Sequence, residues 1–162
     1  MKQFTAAIEH VPTASLKPYP RNARRHSKAQ IKQIAASIER FGFTNPVLMS
    51  DDGEIVAGHG RVAAARLLGL EMVPAPRLSH LSETERRAYL LADNKLALNA
   101  GWDHEMLATE LQGLIDLEFD VGEAGFSLAE VEIVLDEARD SAHKEEASGP
   151  SQRTSVQEGR VG

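Results

Sequence analysis

The sequence predicts an α+β (α/β) protein, a small mixed sheet flanked by helices, with additional helices toward the C-terminus. Three observations carry that expectation. Short apolar runs bounded by proline, asparagine and Asp-Gly turn signals alternate with longer runs of helical spacing. Ser-x-x-Glu capping boxes stand at Ser82 and Ser127, each ahead of an apolar-periodic stretch. The run Ile55-Val56-Ala57-Gly58-His59-Gly60-Arg61, continuing to Gly69, reads as strand, glycine turn and helix.

Taken in order, residues 1 to 26 are expected to be extended, because Pro12, Pro18 and Pro20 bar a helix. Ser27 caps a helix in which Ile31, Ile34, Ala35, Ile38 and Phe41 repeat on one face, ending at Gly42. A strand over Val47 to Met49 turns at Asp51-Asp52-Gly53 into a second over Glu54 to Ala57. A helix over Arg61 to Leu68 stops at Gly69, and Met72 to Leu78 forms an edge strand opened by Pro74 and Pro76. Ser82 starts a helix to about Leu98 whose buried positions include Ala88, Leu91, Ala92 and Leu96. Asp103 caps another through about Leu114, Asp116 to Phe119 is a short strand or an irregular link, and Ser127 opens a last helix through about Glu137. From Ser141 the composition is that of a disordered tail.

Composition narrows the function. With no cysteine, disulfides, thiolate chemistry and cysteine-bearing zinc sites are excluded. The histidines at 10, 26, 59, 80, 104 and 143 lack metal-binding spacing. No apolar run approaches the ~20 residues of a membrane span and the N-terminus lacks a signal-peptide pattern, so the expectation is a cytoplasmic protein without membrane contact. The net charge of −6 conceals a gradient: residues 1–40 carry 8 basic and 2 acidic side chains, residues 101–162 carry 4 and 15. Arg21, Arg24, Arg25 and Lys28 lie in the basic block and are the candidate nucleic-acid contacts, the alternative being a solvated basic face.

The glycine turn is the candidate ligand site. Gly58 and Gly60 let backbone approach an anion, the following helix offers unpaired N–H groups, and Arg61 adds a forked cation. The same pattern also serves a plain tight turn from strand to helix.

Four segments in order give the chain a likeness to a known family. Leu16-Lys17-Pro18-Tyr19-Pro20-Arg21-Asn22-Ala23-Arg24 resembles a first box, and Ile34 to Ile38 with Gly42-Phe43-Thr44-Asn45-Pro46-Val47 the helix and strand after it. Ile55 to Arg61 resembles a second box, and Leu91-Ala92-Asp93-Asn94-Lys95-Leu96-Ala97 a third. Over residues 9 to 137 the chain resembles the ParB/sulfiredoxin superfamily, in particular the ParB N-terminal-like domain of the DNA-methyltransferase-associated phage and bacterial type. The resemblance implies a ParB/sulfiredoxin-like domain over 9–100, after an N-terminal extension at 1–8. A helical extension at 101–140 and a tail at 141–162 follow. It implies a phosphate cradle of Gly58, His59, Gly60 and Arg61, a triphosphate contact at Arg24, and a magnesium or phosphate contact at Asn94 with Asp93 beside it. The implied cofactor is CTP or ATP with magnesium.

The chain also departs from the family. His59 stands where sulfiredoxins have their reactive cysteine, which excludes that thiol mechanism. Gly60 and Ala97 stand where partitioning proteins have arginine. The resemblance leaves no room after residue 137 for the helix-turn-helix and dimerisation domains of a full partitioning protein. No Asp-Pro-Pro-Tyr-type motif is present, so the chain is not expected to methylate DNA alone. The expected function is a nucleotide- or phosphate-binding regulatory module in DNA modification or phage and bacterial DNA metabolism, with DNA and a DNA methyltransferase as partners. Two alternatives stand beside it: a magnesium-dependent nuclease or nucleotide hydrolase, and a protein-interaction adaptor with a vestigial cleft; His59 is, apart from these, a candidate base or phosphate ligand.

Overall fold

The computed structural model describes residues 3–149. Strand β1 (His10–Pro12) pairs antiparallel with β4 (Met72–Pro74), and β2 (Leu48–Met49) pairs antiparallel with β3 (Ile55–Ala57). Single parallel bridges, Lys17 to Glu54 and Met49 to Arg77, join the pairs, helped by the Val47 N–H donating to the Pro74 carbonyl at 2.9 Å. The expected mixed sheet is thus two short antiparallel pairs stitched by parallel bridges. β4 stops at Pro74 rather than Leu78, because Pro74 and Pro76 have no N–H to donate and the chain passes from β1 to Met49, whose N–H donates to the Pro76 carbonyl and whose carbonyl accepts from Leu78.

Helix α1 (Lys28–Phe41) packs on α2 (His59–Leu67), and both close over a core of Leu16, Val47, Met49, Ile55, Val62 and Val73. α1 begins with a reciprocal capping box between Ser27 and Gln30. α2 starts two residues earlier than its apolar spacing indicates, because Gly58, at φ +100°, turns the chain directly into it.

Helix α3 (Glu83–Asn99) leads out of this unit to α4 (His104–Asp116), a short 3-10 turn at Val121–Ala124 and α5 (Leu128–Ala147). The last three elements enclose a second core of Leu107, Leu111, Val121 and Val131. Arg40 of α1 holds this unit by an ion pair with Glu123 at 3.1 Å and by lying 5.1 Å over the Phe119 ring.

Two expectations are corrected here. On α3 only Leu90 is buried, whereas Ala88, Leu91, Ala92 and Leu96 are all exposed, Leu96 at 68%. Helical spacing says which residues share a face, not whether another element lies against it. α5 runs to Ala147 instead of ending near Glu137, so Ser141 to Ala147 are helical; residues 150–162 of the expected tail lie outside the described residues. The link at Asp116 to Phe119 forms no strand, and Glu118 within it adopts φ 58°.

Candidate functional site

The glycine turn lies at the junction of β3 and α2, facing the loop that precedes α1 and the middle of α3. There Gly58, His59, Gly60, Arg61, Arg24, Asp93 and Asn94 all border one cleft of about 190 Å³. These residues come from segments up to seventy positions apart, and the fold brings them together.

Arg61 dominates the cleft. Its guanidinium folds back over Gly58, where an added Cβ would lie 2.9 Å from Nη2, so the glycine is needed both for its positive φ and for this approach. Nη2 donates to the Pro46 carbonyl at 3.0 Å, but Nε is buried and has no hydrogen-bond partner. Burial lowers the pKa of Arg61, while Asp93 and Tyr89 pull the other way; an arginine starts so high that it stays charged. A buried, charged donor without a partner is costly, and the cost is borne here by a nitrogen packed against the Gly58 backbone. No side chain caps the first turn of α2, since the N-cap is a glycine. Its N–H groups therefore lie beside the arginine at the positive end of the helix.

Arg24 Nη1 donates to Asn94 Oδ1 at 3.2 Å, and Asn94 Nδ2 donates to the Leu90 carbonyl at 2.9 Å. This chain from the first box to the third fixes one wall of the cleft. It also engages the Asn94 oxygen with a cation, leaving Asp93 as the carboxylate that faces Arg61. Among the described residues no three His, Cys, Asp or Glu side chains group as metal ligands. Magnesium would fit here only as an ion that takes most of its oxygens from phosphate and water.

His59 does not stand free. Its Nε2 accepts the Tyr19 N–H at 3.1 Å, so Nδ1 carries the proton and the ring is neutral. Burial, and then His26, lower its pKa and favour that state. The bond ties the Tyr19 loop to the start of α2, which makes His59 a positioning residue and occupies the lone pair a general base would use.

Three residues named as nucleic-acid contacts fall outside this cleft. Arg21 borders a separate cavity of about 360 Å³ with Arg86 and Arg87, while Arg25 and Lys28 are exposed. Sequence reasoning missed His26, whose ring packs against Gly60, and missed the carbonyl of Pro46 that anchors Arg61. The available signal for His26 was its place between Arg24-Arg25 and the helix cap Ser27. A second cavity of about 420 Å³ adjoins the cleft and shares Arg24, His26, Ile34 and Arg61 with it. Its far side is closed by Gly42 to Asn45 and by Ala124 and Gly125 of the second unit.

Fold and cleft define a small α+β unit with a glycine-turn, arginine-lined cleft and an appended helical pair. The chain belongs to the ParB N-terminal domain family, whose model matches residues 2–95, and the model of the ParB-methyltransferase HTH domain matches residues 105–156. The second match begins well before residue 137 and spans α4, the 3-10 turn and α5, so it falls on the segment expected as a helical extension. The Escherichia coli K12 "ParB-like nuclease domain-containing protein YnaK" is 48% identical over 80 residues, 49% of this chain and 92% of that protein. The chromosome-partitioning protein Spo0J of Thermus thermophilus is 36% identical over 93 residues, but the match spans only 34% of its length. In fold the chain is similar to a C-terminally truncated chromosome-partitioning protein ParB from Caulobacter crescentus complexed with CTP-gamma-S. That similarity has a TM-score of 0.67 with 21% identity over 88% of both chains.

Proposed function

We propose that this chain is a nucleotide-binding module whose triphosphate is held by the α2 N-terminus, Arg61 and Arg24, with sugar and base in the adjoining cavity. One observation carries it: Arg61, Arg24 and the uncapped first turn of α2 line the same cleft. The cleft alone has room for phosphate groups, and the adjoining cavity falls within the size range of small-ligand sites. The CTP analogue carried by the Caulobacter protein favours CTP over ATP as the first ligand to try. The helix-turn-helix family to which residues 105–156 match favours service to a DNA methyltransferase in DNA modification. Calorimetry against CTP, ATP, GTP and UTP, with and without magnesium, tests the module; absence of binding by all four removes it.

The name of the E. coli relative favours a second reading, a magnesium-dependent nuclease or nucleotide hydrolase. It requires turnover of DNA or nucleotide that disappears in Arg61→Ala while the protein stays folded. The occupied lone pair of His59 and the engaged oxygen of Asn94 weigh against it.

A further inference from the structure

His26 reaches the cleft from the loop ahead of α1. An added Cβ at Gly60 would lie 3.1 Å from its Cε1 and Nε2 and 2.9 Å from Ile34 Cδ1. Glycine at 60 thus leaves the space that the imidazole and the Ile34 side chain fill, at the first turn of α2. The ring borders both the cleft and the adjoining cavity, so it sits where the two communicate. The groups around it are unequal in charge. Its own loop contributes Arg24, α2 contributes Arg61 and the neutral His59, α3 contributes Asp93 and Asn94, and α1 contributes the neutral Gln30, Gln33 and Ile34.

We propose that His26 is a proton-switched ligand for the phosphate held at Gly58 to Arg61, neutral in the free protein and protonated when the anion is in place. It rests on the nucleotide-binding role proposed above and adds to it a residue and a regulation. In the free protein burial, then Arg24, then Arg61 lower the pKa of the ring and favour its uncharged form, with a single N–H. A phosphate among the same two arginines reverses the sign of the local field, and the ring, on the lining of the same cleft, then gains a second N–H donor. Binding takes up a proton, and affinity rises as pH falls. One proton linked to binding gives at most about a tenfold change in affinity per pH unit.

Two measurements on the full chain test this. The first follows the His26 ring signal by NMR across pH, assigned by its loss in His26→Gln, in free protein and with CTP and magnesium, inorganic tripolyphosphate or a short DNA duplex. The expected result is a midpoint below the ordinary histidine value in free protein and above it with tripolyphosphate and CTP. The second compares CTP affinity at about pH 6 and about pH 8, spanning the histidine range. The ligand's own phosphate titration is common to wild type and His26→Gln, so a ratio of wild-type to variant affinity that rises as pH falls reports the protein's proton, and a constant ratio overturns the switch. If CTP binds in an Arg61-dependent way while the His26 midpoint stays unmoved, the switch is overturned and the nucleotide role stands. A shift caused by the duplex alone upholds His26 as a phosphate ligand and removes the nucleotide role. If none of the three ligands binds, both fall.

Discussion

Arg61 and Gly58 act as a pair. Arg61→Ala removes a charged donor from the ligand, a loss of about 1.5–3 kcal/mol, so CTP affinity is expected to fall about ten- to hundredfold. Arg61→Lys keeps the charge but not the fork and should recover little of that affinity. Gly58→Ala forces a Cβ into the left-handed region, costing about 1–2 kcal/mol, and also pushes on the guanidinium at 2.9 Å. Gly69, at φ +69° with open space around it, is the matched control that bears only the backbone part. Thermal unfolding of Gly58→Ala and Gly69→Ala, each with and without Arg61→Ala, should show the excess at Gly58 vanish when Arg61 is absent.

His59 gives the free protein a pH dependence of definite sign. Its pKa is lower in the folded than in the unfolded chain, so the unfolded state binds more protons in the window between the two values. Its stabilising contribution is complete above the unfolded value of about 6.5 and is lost as pH falls toward the lowered one. His26 adds a loss of the same sign. Denaturant midpoints below neutrality should therefore fall more steeply in wild type than in His59→Gln, which keeps an acceptor for the Tyr19 N–H but does not titrate. Equal slopes would show that burial of His59 does not govern its charge.

Among the elements, α1 controls the cleft from its first turn. Its capping box satisfies the Gln30 N–H through Ser27 Oγ and the Ser27 N–H through Gln30, directly after His26. Ser27→Ala is expected to cost about 1 kcal/mol of stability. Because the cap fixes where the His26 loop ends, the same change should weaken CTP binding beyond the loss seen for Ser127→Ala, which removes the equivalent box of α5 far from the cleft. Calorimetry on the two variants separates these effects. α3 is the contrasting element, a helix correctly placed by its Ser82 box but attached to the first unit through Leu90 and the Asn94 wall.

For the chain as a whole, charge decides where DNA is able to approach. Residues 104–147 carry 13 acidic side chains against Arg139 and Lys144, a balance that opposes approach of a phosphate backbone although residues 105–156 match a helix-turn-helix family model. The basic loop ahead of α1 is the opposite case. Any DNA binding is expected to be lost in the charge reversals Arg25→Glu and Lys28→Glu, and to be strengthened by Glu132→Gln with Asp136→Asn on α5. Anisotropy titrations with a labelled duplex at low and moderate salt check this. The reverse pattern would place DNA on the helical pair instead.

Local chemistry was enough to place the starts of α1, α3, α4 and α5, because Ser27, Ser82, Asp103 and Ser127 satisfy backbone N–H groups within their own first turns, whereas α2, capped by Gly58 without a side chain, begins two residues early. It was also enough to mark Gly58 to Arg61, since a positive φ and a helix N-terminus are properties of adjacent residues. What neighbours in sequence could not decide was which faces find partners. Leu91 and Leu96 have the spacing of a buried stripe and stay in solvent, while His26, unmarked by any motif, enters the cleft because Gly60, 34 positions later, lacks a side chain. Burial and the partner of a charged group depend on what the rest of the chain places opposite, so the orphaned nitrogen of Arg61 and the occupied lone pair of His59 became legible only with the chain folded.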